Sequence, residues 1–483
     1  MYNQRNYDDG DQVPYRTQGF AGRAAYTYAD RYIAEFNFGY NGSENFAKGN
    51  RFGFFPSIAA GWIVSEEEFM RPVQNYINKL KLRASYGLAG NDRFYNDDGS
   101  QKRFAYITTI GSTDGYKWGN SNAFYEKGGL REGDPGVESL TWETVKKANV
   151  GIELGLFKMA ELQVDFFHER REDIFMQRKN IPSSAGFPSA PWANYGIVTN
   201  KGFDISLDLN KQINKDWFIS ARASVTYAKN KIIEQDEDLG VLGTYRSSTG
   251  KPVGQIFGLV NDGLYTEADF EDVTTGKLKP GLPVPKFSDR VYPGDIKYLD
   301  LNGDNEITET DKTAIGGTVN PELVYGFGIN LSYKNIDFGA FFQGNGRTYR
   351  IIGENQKNFL PGSTIGAEGN IFTNASDAWT VDNPSQDVFY PRLHMGYNAN
   401  NAQVSDWWLK DMSMLRLKNV ELGYSFSKNL IKKAAMEYAR IFVRGTNLLQ
   451  FSKFDLWDPE LNTSNGLKYP IMATYSIGLQ VRF

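Results

Sequence analysis

Residues 300–311 read DLNGDNEITETD, and their spacing is that of an oxygen-lined cation loop. With Asp300 as position 1, Asn302 and Asp304 fall at 3 and 5, the Glu306 carbonyl at 7, Thr308 at 9 and Asp311 at 12. Hard oxygen donors in that order suit Ca²⁺. Ile307 supplies the apolar eighth position. Asn305 stands where the sharp turn usually has glycine, and asparagine also tolerates a left-handed backbone. Asp311 reaches less far than the glutamate more common at position 12. An acidic turn held only by Asx hydrogen bonds would use the same residues. The expectation is a structural Ca²⁺ site in an exposed loop, with no catalytic part.

Other residues that could do chemistry are sparse. Cysteine is absent, which removes disulfides, zinc–thiolate sites and thiol nucleophiles, and only His168 and His394 supply imidazoles. His168 sits beside Glu169 and reads as a solvated or lumen-facing side chain. Asp455, Asp458 and Glu460 lack an evident acid–base partner, so no enzyme activity is expected. Glu66, Glu67 and Glu68 read as a solvated charge run. The net charge of −4 leaves no basic footprint for nucleic acid. Trp118, Trp192, Trp379 and Trp457 fall in long connections, where aromatic faces could stack on a ligand or simply pack within the loops. Trp407 and Trp408 precede a strand and fit an interfacial aromatic girdle.

The elements that must carry these residues are strands. Phe203, Ile205, Leu207 and Leu209 alternate with Asp204, Ser206, Asp208 and Asn210. Trp217 to Tyr227 and Tyr325 to Tyr333 repeat the period, with Arg222, Ser224 and Thr226 among the polar positions. About 13 strands are expected, at 18–29, 31–42, 51–64, 78–90, 141–157, 160–175, 193–211, 215–233, 322–334, 335–347, 411–427, 437–450 and 470–483. At roughly 10 to 14 residues they exceed the ordinary globular strand and match a tilted bilayer crossing. Short turns (29–31, 157–160, 212–215, 334–335) alternate with long links (91–140, 176–192, 234–321, 348–410, 451–469). That alternation is the pattern of an antiparallel transmembrane β-barrel with long extracellular loops. No apolar run reaches the roughly 18 residues of a membrane helix, and residues 1–17 do not read as a signal peptide. Residues 1–17 read as a loop or partial upstream strand, and 18–483 as the C-terminal part of a barrel. An odd strand count would place the first strand's start outside, implying further strands upstream.

Named segments then carry a resemblance. The stretches GFAGRAAYTYADRYIAEFNFGYNGSENF (19–46), RFGFFPSIAAGWIVSEEEF (51–69) and LKLRASYGLAGND (80–92) resemble the barrel of SusC/RagA-type TonB-dependent outer-membrane transporters of Bacteroidetes. So do ANYGIVTNKGFDI (193–205), GDIKYLDLNGDNEITETDKTAIGG (294–317), NPELVYGFGINLSYKNIDFGAFFQG (320–344), NLLQFSKFDLWDPE (447–460) and YPIMATYSIGLQVRF (469–483). The resemblance implies part of a barrel of about 22 strands. The family's N-terminal domain, plug and first strands have no counterpart in this sequence.

The resemblance further implies integral outer-membrane localisation and import of glycans or oligopeptides. Expected partners are a SusD-like surface lipoprotein acting as a lid, TonB acting through the plug, membrane lipid, and the barrel-assembly machinery reading Phe483. The alternatives are a self-contained passive porin or adhesin, or a non-functional split or truncated fragment.

Overall fold

The computed structural model describes residues 2–7, 15–96, 99–120, 123–353, 373–432 and 435–483. Fourteen long strands follow one another in chain order in one antiparallel sheet. They are β1 (Tyr2–Tyr7), β2 (Tyr15–Tyr28), β3 (Tyr32–Ser43), β4 (Phe52–Ile63), β5 (Ile77–Asn91), β6 (Glu143–Leu156) and β7 (Ala160–Gln177). The order continues with β8 (Trp192–Gln212), β9 (Trp217–Glu234), β10 (Leu323–Tyr333), β11 (Ile336–Gly346), β12 (Met414–Ser425), β13 (Tyr438–Ser452) and β14 (Thr474–Arg482). All 13 expected strands are present, with ends shifted by a few residues. The additional one is β1, which pairs with β2 from Tyr2↔Phe20 to Tyr7↔Tyr15. Among the described residues the sheet therefore has an even number of strands, in place of the expected odd count.

The chain divides into two compact units, one built mainly on residues 1–209 and one mainly on 252–483. In the first, β3 and β4 pair Tyr32 with Trp62, Phe36 with Ile58 and Tyr40 with Phe54, and all six side chains are exposed. Pro56 stands one residue before β4 begins pairing with β5 at Ser57↔Gly87, so its missing N–H forfeits no bond to β5. The Ala29–Asp30 and Phe157–Lys158 turns have φ of 52° to 55°, the left-handed twist that closes tight hairpins.

In the second unit, Ile441 pairs with Leu479 and Val443 with Ile477, again with all four exposed. The other face of β13 carries Arg440, whose Nε donates to Asp337 Oδ1 at 3.0 Å, and Arg444, whose Nε donates to Glu421 Oε2 at 2.6 Å. Exposed aliphatics and aromatics on one face, with ion pairs on the other, invert the water-soluble pattern. They are what a strand needs when its outer solvent is hydrocarbon and its inner one is water. No helix among the described residues is long and apolar enough to cross a membrane.

The apolar cores lie in the long connections and the strand ends that border them. In the first unit, Phe46, Phe94, Leu140, Trp142, Phe175 and Trp192 form one. In the second, Leu259, Ile296, Tyr298, Ile307, Trp379, Tyr390, Trp408 and Phe454 belong to another.

Candidate functional site

The cation-loop residues fold together between Ile296–Tyr298 and a 3₁₀ turn at Glu309–Asp311. Asp300 Oδ1 accepts from the Gly303 N–H at 2.7 Å and Oδ2 from the Asn305 N–H at 2.8 Å. Asp304 Oδ1 accepts from the Glu306 N–H, and its Oδ2 from Asn302 Nδ2, both at 2.8 Å. Asp311, fully buried, accepts from the Leu301 N–H at 2.9 Å and the Thr308 N–H at 2.8 Å. Asn305 takes the expected left-handed conformation at φ 64°, and Ile307 is fully buried in the loop core. Desolvation would raise the Asp300 carboxyl, but the N–H groups of Gly303 and Asn305 outweigh it and hold the group below the usual carboxylate range.

The donor set is all oxygen and suits a hard cation in kind. Among the described residues, however, no three His, Asp or Glu side chains converge where they could hold a metal. The internal bonds are those of an Asx-stabilised turn, and Asp304 Oδ1 and Oδ2 each accept one of them. The Tyr245 hydroxyl donates to the Thr310 carbonyl at 2.7 Å and so ties this loop to the segment after β9.

The four candidate tryptophans separate. Trp118 is 48% exposed on a hairpin of Ile110–Asn120 and Ala123–Glu132, with its ring 5.9 Å from Tyr116 and 6.3 Å from Tyr125. Trp192 is buried, stacked on Phe175 at 4.5 Å, with the Lys102 ammonium 5.0 Å from its ring. Trp379 is buried with the Arg392 guanidinium 5.6 Å from its ring, and Trp457 is half-buried edge-on to Phe454 at 4.8 Å. Trp192 and Trp379 are thus loop-core residues, because filling those cores buries more apolar surface than an exposed ring could. Trp408 also leaves its expected place in the girdle: it is buried, and its indole N–H donates to the Asn401 carbonyl at 2.8 Å. Trp407 is half-buried and donates to the Phe389 carbonyl at 3.1 Å.

Partners appear where sequence spacing suggested none. Asp458 and Glu460 face the buried Arg416, and Glu460 also meets Lys418 Nζ at 2.9 Å. These acids are charge-paired with basic side chains. Glu67 is no solvated turn residue, since it accepts from Tyr32 Oη at 2.7 Å, Trp62 Nε1 at 3.0 Å and Arg31 at 3.2 Å. His168 is exposed on β7, in register with Lys201 of β8.

Three arrangements escaped the sequence reading. Asp295, fully buried, accepts from Asn401 Nδ2 at 2.8 Å and the Tyr292 N–H at 2.9 Å, and meets His394 Nε2 at 2.5 Å. The neighbouring Tyr298 hydroxyl donates to the Asn400 carbonyl at 2.8 Å, and burial pushes the Tyr390 phenol up to about 12. In the first unit, burial alone would raise the Asp236 carboxyl. Arg178, the Lys179 N–H and Asn180 instead hold it well below the usual range. Also in that unit, a cavity of about 290 Å³ is lined by Arg16, Arg51, Glu44 and Phe52 among others. The asparagines of 398–401 were the available signal for the Asp295 network, but only the fold brings them to an aspartate about 100 residues upstream.

No protein-family model matches the chain. It is 30% identical to the TonB-dependent receptor P26 of Formosa agariphila, over 99% of this chain and 47% of that protein. It is 24% identical to the TonB-dependent receptor SusC of Bacteroides thetaiotaomicron, over 98% of this chain and 45% of the relative. The chain thus spans about half the length of the curated relatives it matches. Its fold resembles the RagAB peptide transporter with a TM-score of 0.73 at 22% identity, covering 97% of this chain and 47% of that one. The RagAB peptide importer in its closed-closed state gives 0.71 at 24% identity, covering 97% and 48%. Alternating strand faces, loop-borne cores and relatives matched along nearly the whole chain agree: the chain is similar to about half the length of the SusC/RagA-type TonB-dependent receptors and has the strands of an outer-membrane β-barrel.

Proposed function

We propose that the chain forms the wall and outer loops of an importer that takes glycans or oligopeptides across the outer membrane. A SusD-like lipoprotein closes over the outer loops, and TonB supplies energy through a plug. The observation that carries the reading is the fold likeness to the RagAB peptide transporter over 97% of the chain. Import requires no covalent step, so the reading is of a transporter without enzyme activity. The exposed Tyr116–Trp118–Tyr125 rings are the candidate ligand contact, by stacking on sugar or peptide faces.

Deleting the coding region in its host should abolish growth on the peptide or glycan that the receptor imports, and a TonB-deficient strain should show the same loss. Uptake that persists without TonB would favour a passive porin, and an unaltered growth profile would favour an adhesin or a non-functional fragment. A second element of the proposal is Ca²⁺ held by Asp300, Asn302, Asp304, the Glu306 carbonyl, Thr308 and Asp311. The all-oxygen donor set supports it, and the ion would pin the exposed loop to its buried Ile307. Phe483, exposed beyond β14, is the proposed assembly signal.

A further inference from the structure

The connection from β4 to β5 is unlike the other short turns. It makes two 3₁₀ turns, Val64–Glu66 and Glu68–Val73, with Val64, Ser65 and Met70 buried beneath them. What remains outside is mixed: Phe69 is 65% exposed, Tyr76 62% and Val73 37%, interleaved with exposed Glu66, Glu68, Arg71, Gln74 and Asn75. Phe157, in the neighbouring β6–β7 turn, is exposed and stands edge-on to Tyr76 at 5.9 Å, and its N–H donates to the Tyr76 carbonyl at 2.8 Å.

Glu67 fixes where this segment goes. Its carboxylate bonds to Tyr32 Oη and Trp62 Nε1, two side chains on the lipid-facing side of β3 and β4, and to Arg31 in the adjoining turn. Tyr28, Tyr32 and Trp62 stack in series there, at 6.5 and 6.4 Å. These hydrogen bonds hold the carboxyl of Glu67 below its usual range, Tyr32 contributing most. A turn tethered to outward-facing rings folds outward, so its exposed apolar residues continue the lipid-facing band of Phe36, Ile58 and Trp62. A turn that exposes Phe69, Val73 and Tyr76 among Glu66, Glu68 and Arg71 suits the headgroup boundary of a bilayer, where apolar bodies and charged groups are accommodated together.

We propose that residues 64–76 form a membrane foot. Phe69, Val73 and Tyr76 insert into the periplasmic leaflet beside the barrel wall, and Glu67 is the positioning residue that directs them there. The inference rests on the barrel orientation and stands whether or not the protein imports a nutrient.

The absence of cysteine permits a clean test by single-site spin labelling of the membrane-extracted full chain. Phe69→Cys, Val73→Cys and a reference Leu239→Cys in an outer loop would each be labelled and reconstituted in phosphatidylethanolamine/phosphatidylglycerol vesicles, with heat-modifiable gel mobility verifying the fold. At 69 and 73 the label should relax several-fold more with oxygen than with a water-soluble nickel chelate, the reverse of the reference. Nickel accessibility at 69 equal to that at 239 overturns the proposal and leaves a soluble periplasmic partner as the occupant. Adding Glu67→Gln to Phe69→Cys should raise nickel accessibility at 69. An unchanged value in a folded variant removes Glu67 from the positioning role.

Discussion

Ile477 and Leu479 on β14 are 79% and 67% exposed, whereas Leu259 and Ile296 in the outer connections of the same unit are wholly buried. All four are aliphatic residues in β-rich surroundings, so side-chain type does not separate them. The solvent does. Hydrocarbon around the wall makes an outward Leu favourable, and the strand backbone is already satisfied by its neighbours. The outer loops stand in water and must build a core to hold any shape, which they do around Trp408, Tyr298 and Ile296. The polar residues reverse in the same way. On the wall Arg440 and Arg444 pair across strands on the inner face, while in the loops Asp295 is fully buried at the centre of an asparagine network.

This contrast can be broken at either end. Trp408→Ala should have the largest effect, about 3–5 kcal/mol for a buried tryptophan, and it also strands the Asn401 carbonyl. Limited proteolysis should then cut the outer loops of the second unit while the strands stay intact. Equal protection of the loops would show that the loop core does not govern their order. Leu479→Arg on the wall should destabilise by about 2–4 kcal/mol if its face meets the bilayer midplane, read as reduced heat-modifiable mobility. A cost near zero would mean that this face meets water.

Asp236→Asn comes next, at about 1–3 kcal/mol, because it removes charge from a buried hydrogen-bonded site while Arg178 remains partly solvated. Its pH dependence has a definite sign. The folded-state pKa is depressed, so the contribution is fully present above the unfolded value of about 3.9. It is lost as pH falls below that value through the still lower folded one. Hydrogen exchange at 178–180 should remain slow at pH 4 in the native protein and quicken only in stronger acid. The Asn variant should be faster throughout and lack that acid step. The smallest effect is expected in the cation loop. Chelation by EGTA should speed proteolysis within 300–311 in the native protein and have no such effect on Asp300→Ala or Asp304→Ala. If EGTA changes nothing in the native protein, the loop is an Asx turn without Ca²⁺.

Much of the wall was legible from period alone. The alternation at 203–210 and 475–483 was enough to place strands and assign faces, since a β-strand has only two sides and a one-residue slip exchanges them. β1 was legible only as a loop or partial strand, because YNQRNY is almost wholly polar and shows no alternation. In the cation loop, side-chain spacing predicted the left-handed Asn305 and the buried Ile307, both of which are local properties. The tryptophans were harder. Trp118 and Trp192 were both expected in long connections, yet one is presented on a hairpin and the other, at the start of β8, is stacked on Phe175. Glu67 and its two neighbours are indistinguishable as a run, and only the turn geometry aims one of them at Tyr32 and Trp62.

The sequence by itself determined the strand wall, its two faces and the class of solvent on each, because those depend on residues a few positions apart. Tertiary structure alone decided which loop aromatics are core, which acids are paired and where Asp295 is buried. Those outcomes depend on contacts such as Asp295 with Asn401 and Arg416 with Asp458, between residues whose separation in the chain carries no periodic signal.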